Sequence, residues 1–262
     1  MRLTTIQEST LGNINKPIIQ LSIVVPVYNQ ERKVPLSLAR IRKVLDSTLI
    51  SYEIVVVNDG SLDNTLEVLM EEEKKNPRMQ IISYSLNVGK GHAVKIGVLH
   101  SKGNTVMFTD GDLDISPEVI RDYVKELESC DLVIASKTHP QSKVVAPFSR
   151  RFLSRAFNLI VRVSVGIKLK DTQSGLKAGN GDALRTIFKV MLVKRYAFDV
   201  ELLKIATMLG LSIKEMPIEI NLDRKFKIQE IIKMFVDILG ISYRLRITHW
   251  YQKQILSQIE GR

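Results

Sequence analysis

The chain has 262 residues, 45% of them hydrophobic, which is enough to bury a sizeable core in one large α/β domain and excludes disorder as the default. Its single cysteine, Cys130, excludes an internal disulfide, and its place in the apolar run 130–135 predicts a buried thiol in a reducing compartment. A formal charge of +10 and a pI near 9.6 call for an anionic partner: nucleic acid, lipid headgroups or a phosphorylated substrate.

Residues 1–20 read as a polar extension without the apolar stretch of a signal peptide, and no segment reaches the roughly 18 uncharged apolar residues of a spanning helix. The expectation is a cytoplasmic protein, peripheral to a membrane at most. Three short β-branched runs, 21–27, 53–58 and 105–109, have the pattern of buried parallel strands. Helical periods lie between them, at Leu38, Ile41 and Leu45, at Leu66, Leu69 and Met70, and at Ala93, Ile96 and Gly97. Strand and helix in alternation predict a doubly wound, mostly parallel α/β sheet, with ligands at the carboxyl ends of the strands. Further along, the spacing predicts a basic helix over 148–165, a polar loop over 171–177, a helix near 199–209 and a strand near 213–220. A catalytic domain over 21–222 is expected, followed by an amphipathic basic segment over 223–258. The last residues, 259–262, look like a protease-cleavage scar.

Chemistry gathers at three of the strand-end loops. Asp110, Asp112 and Asp114 stand at alternate positions after an apolar strand, and carboxylates so close repel one another unless a cation neutralises them. Oxygen-only ligands favour Mg²⁺ or Mn²⁺, completed by substrate phosphates, and make these three the candidate metal ligands. A solvated turn capping the next helix is the plainer alternative. In the second loop Asp63 reads as a capping residue, whereas Asp59 is placed where a carboxylate can accept a hydrogen bond from a base N–H. The stretch 87–91, Asn-Val-Gly-Lys-Gly, puts flexible backbone and the Lys90 ammonium before a helix, which suits a phosphate.

Taken in order, Pro26-Val27-Tyr28-Asn29-Gln30-Glu31, Asn58-Asp59-Gly60-Ser61, residues 87–91, the Asp110/Asp112 pair and Asp171-Thr172-Gln173-Ser174-Gly175-Leu176-Lys177 resemble family 2 glycosyltransferases, and most closely the dolichyl-phosphate glucose and mannose synthases. The resemblance implies a GT-A fold and inverting transfer of a hexose, glucose before mannose, from a nucleotide diphosphate sugar to a polyprenyl phosphate. It implies that Pro26, Tyr28, Asn29, Glu31 and Asp59 hold the nucleoside, and that Asp110, Gly111 and Asp112 present the metal to the diphosphate. Asn58 replaces the inner acid of the usual pair. On the acceptor side the resemblance points to Lys137, Arg150 and Ser154 as the grip on the lipid phosphate, and it places Asp199 and Glu201 beside the cleft.

The mechanism expected is a single displacement in which Asp112 and Lys90 stabilise the departing diphosphate. A phosphate acceptor needs no general base, since its second pKa is about 6; an alcohol would, with Asp171 or Asp199 as candidates. At the C-terminus, Ile228, Ile231, Ile232, Phe235, Ile238 and Leu239 mark one apolar helical face. Trp250, Tyr251, Arg244, Arg246 and Lys253 continue it with residues suited to a headgroup region, so the segment is expected to lie in a membrane interface, with core packing or a homodimer contact as alternatives. Nucleic acid is not expected as a partner, because the basic runs lack interleaved stacking aromatics. A nucleotidyltransferase is the rival enzyme class, distinguished by release of pyrophosphate.

Overall fold

The computed structural model describes residues 19–169, 171–222 and 228–260. Nearly all of the expected 1–20 extension, and the last two residues of the expected scar, lie outside them. The chain begins with alternating strands and helices: β1 (Leu21–Val27), α1 (Val34–Asp46), β2 (Tyr52–Asp59), α2 (Thr65–Lys75), β3 (Met79–Tyr84), α3 (Lys90–His100) and β4 (Thr105–Phe108). It continues through α4 (Ile120–Glu126), β5 (Leu132–Ala135), β6 (Lys143–Val145), α5 (Phe148–Val165), β7 (Lys177–Asn180), α6 (Gly181–Val190) and α7 (Phe198–Met208). The last elements are β8 (Ile213–Met216), β9 (Glu219–Asn221), α8 (Ile228–Arg246) and α9 (Trp250–Glu260).

The main sheet has the order β3-β2-β1-β4-β7-β5-β8. All its pairings are parallel except the two that β7 makes with β4 and β5, so the α/β architecture expected from the alternation is present. Every residue of β1 and β2 is buried, as the β-branched runs require. Ile23, Val25, Ile54 and Val56 pack on one side with Leu38 and Ile41 of α1, while Val24, Val55 and Val57 pack on the other with α3, α6 and α7. Each such Val or Ile taken out of water contributes roughly 1.5–3 kcal/mol.

Four differences from the sequence reading have local causes. The strand β3, partly buried at the sheet edge, has a mixed pattern that the reading did not assign. The strand β7 holds Lys-Ala-Gly-Asn, without β-branched residues, and its first residue falls inside what reads as the end of a polar loop. The single strand expected near 213–220 is divided: β8 joins the main sheet and β9 pairs with β6 in a small two-stranded sheet. Cys130 is half-buried, with its thiol donating to the Glu126 carbonyl at 3.4 Å.

The C-terminal helices pack on the catalytic body. Met234, Ile238, Ile241 and Leu245 of α8 and Tyr251 of α9 join the core cluster that contains Phe157, Val161 and Val165 of α5. Tyr251 is fully buried and Trp250 is partly buried against this cluster, which corrects their expected place among outward-facing headgroup residues. Arg244 is likewise turned inward, its Nε donating to the Tyr251 hydroxyl at 2.8 Å. No described helix is long and apolar enough to cross a membrane.

Candidate active site

In the sheet order β1 lies between β2 and β4, and the loops leaving these three strands converge where a parallel sheet reverses its winding. They enclose a cavity of about 500 Å³ with the N-terminus of α3, the segment before α7 and one side of α8. Pro26, Tyr28, Asp59, Lys90, Asp110, Gly111, Asp112 and Asp114 all line it, so most of the expected donor-side residues are brought together. Tyr28 is 40% exposed there.

Asn29 and Glu31 are not on the wall. Asn29 adopts φ 52°, a left-handed conformation that Asn tolerates, and its Oδ1 accepts the Leu62 N–H at 2.8 Å while its own N–H donates to Ser61 Oγ at 2.9 Å. Glu31 Oε2 accepts the Asn64 N–H at 3.0 Å, and the Glu31 N–H donates to Asp63 Oδ2 at 3.2 Å. The two residues therefore stitch the first loop to the second turn. Gln30, which stands between them, is the one that faces the cavity.

Asp59 is 3% exposed and is committed to protein donors. Its carboxylate accepts from the Tyr84 hydroxyl at 2.8 Å, Asn87 Nδ2 at 2.9 Å, the Val88 N–H at 2.9 Å and the Gly89 N–H at 2.9 Å. A carboxylate has about four lone-pair sites, so these bonds compete with the base N–H expected there. Burial, followed by the Asp59 bond, pushes the Tyr84 phenol well above its ordinary pKa and keeps it a donor. Asn58 uses both ends of its amide, donating to Ser83 Oγ at 3.1 Å and accepting from the Ser61 N–H at 3.2 Å. A second carboxylate in its place has no hydrogen to donate, and could keep the Ser83 contact only by accepting from that hydroxyl.

Through Asp59 the 87–89 segment is held at the start of α3, where Gly89 has φ 125° and a Cβ would lie 2.6 Å from the Lys194 carbonyl oxygen. Only glycine allows that approach. It places Lys90 in an ion pair with Asp110. Burial opposes the Lys90 charge, but Asp110 and Asp199 outweigh it and raise its pKa above the ordinary lysine value. Gly175 lies against the far side of Asp110, where a Cβ would fall 2.1 Å from Oδ2.

Behind Lys90 runs a buried series of alternating charges. Lys177, fully buried at the start of β7, pairs with Asp199 of α7 at 2.7 Å and donates to the Ser174 carbonyl at 2.6 Å. Burial pulls Lys177 down and Asp199 up, against their mutual attraction. Next comes Asp171, 1% exposed, which accepts from the Ser174 hydroxyl at 2.7 Å and the Lys137 N–H at 2.8 Å and pairs with Lys137 Nζ at 3.2 Å. Burial alone would raise its pKa, yet Lys137 and these donors hold it below the usual aspartate range, which makes it a weak base. Lys177 was the missed member of this series, since a lysine at the end of a polar loop looks solvated until β7 is placed.

On the acceptor side, Lys137 is occupied by Asp171 and Ser174 and does not reach the donor cavity wall. Ser154 is half-buried on α5. The side chain of Arg150 lies outside those described.

Asp110, Asp112 and Asp114 offer only oxygen, on one cavity wall, to any cation they hold. No group of three or more His, Cys, Asp or Glu side chains converges on a common point among the described residues. The donor set fits an ion completed by ligand phosphates, with Lys90 already neutralising Asp110.

The far wall was not anticipated. Arg195 and Tyr196, from the segment before α7, and Glu230, Lys233, Met234 and Asp237 of α8 close the cavity. Periodicity assigns the apolar positions of α8 to packing and carries no sign that its polar positions face a ligand site.

The sequence model described as "Glycosyl transferase family 2" matches residues 22–188. A dolichyl-phosphate beta-glucosyltransferase of Trichomonas vaginalis is 33% identical over 253 residues, covering 88% of this chain and 76% of its own. The dolichyl-phosphate beta-glucosyltransferase of Homo sapiens is 29% identical over 268 residues, covering 95% and 83%. Among solved structures, glucosyl-3-phosphoglycerate synthase of Mycobacterium tuberculosis, in complex with Mn²⁺, UDP-glucose and phosphoglyceric acid, shares the fold with a TM-score of 0.65 at 20% identity, covering 86% of this chain and 78% of that one. Strand-end loops that place Lys90 and the paired aspartates in one cavity, a GT-A fold and a family match over most of the chain agree: this protein is a glycosyltransferase and belongs to glycosyl transferase family 2.

Proposed function

We propose that the protein transfers glucose from UDP-glucose to a dolichyl or related polyprenyl phosphate, with inversion, at a membrane surface. The observation that carries this reading is the Lys90–Asp110 pair inside the strand-end cavity, taken with relatives that are dolichyl-phosphate beta-glucosyltransferases over nearly the whole chain. Tyr28 and Pro26 receive the nucleoside, and Lys90 faces the diphosphate. Asp110 and Asp112 would hold a Mn²⁺ or Mg²⁺ ion, which would supply positive charge against the leaving diphosphate. The phosphate oxygen of the acceptor attacks the anomeric carbon, the bond to the β-phosphate oxygen breaks, and UDP departs with the electron pair. No proton need be removed from an acceptor phosphate that is already ionised at neutral pH, with its second pKa about 6.

The pairing of Asp171 with Lys137 and of Asp199 with Lys177 supports this acceptor class. Both carboxylates are engaged with ammonium groups, as suits an acceptor that brings its own negative charge. Lys137, Ser154 and Arg150 remain the acceptor-phosphate residues of the proposal. The membrane reading rests on α8, where Ile232, Val236, Leu239 and Tyr243 form an exposed apolar stripe distinct from the face packed in the core, continued by exposed Ile247 just past the helix end. On neighbouring α5, Leu159 and Val163 are also exposed, and Arg246 donates to the Val163 carbonyl at 2.9 Å. Apolar side chains beside cationic ones suit an anionic lipid surface, on the cytoplasmic face.

The test is a panel of UDP-glucose, GDP-mannose and other nucleotide sugars, with Mn²⁺ or Mg²⁺, scored for nucleoside diphosphate release with and without a short polyprenyl phosphate. Release with UDP-glucose that depends on the lipid phosphate is expected. Release that depends instead on a saccharide or a simple alcohol, or pyrophosphate release from a nucleoside triphosphate, would overturn it.

A further inference from the structure

Two residues that line the cavity, Asp237 and Gln30, each carry a buried acceptor atom, Oδ2 and Oε1, with no hydrogen-bond partner among the described residues. They come from unrelated elements, α8 and the loop after β1. Gln30 is pressed against the metal-side loop, where a Cβ on Gly111 would lie 2.5 Å from Oε1. Leaving a buried acceptor unmade costs about 1–3 kcal/mol, and more for a charged group, so such atoms persist where a ligand completes them.

The chemistry of the missing donor is restricted. A diphosphate at neutral pH offers acceptors and negative charge, and it would repel a carboxylate. The nucleobase and the two sugars of a nucleotide sugar supply neutral N–H and O–H donors, and sugar hydroxyls are the most numerous of them. Burial raises the Asp237 pKa, and Arg195 and Arg244 counter it, so the carboxylate sits among cations without a direct bond to either. Its helix is anchored independently of it: Met234 and Ile238, on either side, are core residues.

We propose that Asp237 is a specificity residue of the donor site, its Oδ2 accepting a hydrogen bond from a hydroxyl of the nucleotide sugar. The C-terminal helix α8 is then part of the donor pocket as well as a packing and surface element. This rests on the donor reading above, and it adds a residue that neither the strand-end motifs nor the metal loop contains.

The experiment is calorimetric titration of wild type, Asp237→Asn and Asp237→Leu with UDP and with UDP-glucose in the presence of Mn²⁺, alongside thermal unfolding of each protein. Asp237→Leu should bind UDP-glucose about 10-fold more weakly, as loss of a hydrogen bond to a charged group implies, and Asp237→Asn should lose less because its amide oxygen still accepts. Loss with UDP-glucose but not UDP assigns the hydroxyl to the hexose; equal loss with both assigns it to the nucleoside. Since the carboxylate makes no direct hydrogen bond or ion pair among the described residues, both variants should keep the wild-type fold in thermal unfolding. Unchanged affinity of both variants, with wild type binding normally, overturns the assignment to Asp237. Failure of folded wild type to bind UDP-glucose overturns the donor reading beneath it, and the two failures are thereby separate.

Discussion

Tyr251 on α9 donates its phenolic hydrogen to Glu201 on α7, and both side chains are fully buried. The other oxygen of Glu201 accepts the N–H groups of Leu192 at 3.0 Å and Val193 at 2.7 Å, at the start of the segment that carries Arg195 and Tyr196 into the cavity. Through Glu201 the last helix is tied to the far wall of the donor pocket. Tyr251→Phe removes the hydroxyl and leaves Glu201 Oε1 with Arg244 at 3.5 Å. It should cost about 1–3 kcal/mol of stability in denaturant titration and raise the KM for the donor more than it lowers kcat. A variant with wild-type stability and donor KM would show that the bond holds nothing in place.

The Lys177–Asp199 pair is the most buried ion pair near the site. Asp199→Ala strands the Lys177 ammonium among Phe108 and the core, so a loss of about 3–5 kcal/mol is expected by chemical denaturation. The double variant Lys177→Met/Asp199→Leu should recover most of that loss. If the double variant is no more stable than the single one, the cost lies in packing rather than in an uncompensated charge.

Asp112 lies on the cavity wall at the open end of β4, in the loop that repeats carboxylates at alternate positions. Asp112→Asn should lower transfer at least about 100-fold, in keeping with the several kcal/mol of charge stabilisation a bound metal supplies. Thermal unfolding without metal should be unchanged or slightly higher, because repulsion between neighbouring carboxylates is relieved. Turnover by the folded variant at the wild-type rate would remove Asp112 from the metal site.

Acid sensitivity follows from Asp171. Burial raises its pKa, but Lys137 and the surrounding donors outweigh burial and depress the folded-state value. A depressed carboxylate contributes stability that is present above its unfolded value of about 3.9 and is lost as pH falls through the lower folded value. Asp171→Asn should therefore lower the denaturant midpoint at neutral pH and flatten its decline below about pH 4. An acid limb as steep as that of wild type would place the linkage on other carboxylates.

The exposed stripe of α8 predicts binding to vesicles. Co-sedimentation should strengthen with anionic lipid and weaken as salt shortens the screening length from about 10 Å at 0.1 M. Leu239→Glu with Val236→Glu, both at exposed positions, should abolish it without changing turnover of a short soluble polyprenyl phosphate. Wild type that ignores anionic vesicles, or a double variant that still sediments, would assign the stripe to another surface.

Much of the donor side was legible in the sequence, because the relevant signals are local. The runs at β1, β2 and β4 are almost wholly buried and hence predominantly apolar, and each is followed within a few residues by the polar loop it presents. Lys90, Asp110, Asp112 and Asp59 were therefore placed on one sheet edge by strand, loop and helix order alone. Their partners could not be read in the same way. Tyr84 meets Asp59 across 25 residues, Lys177 meets Asp199 across 22, and Tyr251 meets Glu201 across 50. Each of these pairings depends on strand order or helix docking, which no periodicity encodes. Tertiary structure also decided that Asn29 and Glu31 tie loop to loop while Gln30 faces the cavity, since alternation along a turn is set by its φ values, including the left-handed Asn29. Amphipathicity identified α8 as a helix with an apolar face, but that helix has a packed apolar face, an exposed apolar stripe and the polar positions Glu230, Lys233 and Asp237 on the cavity. Which of its faces meets core, solvent or cavity was settled only when α5 and the segment before α7 were folded against it, because burial belongs to the neighbours of a side chain and not to its spacing.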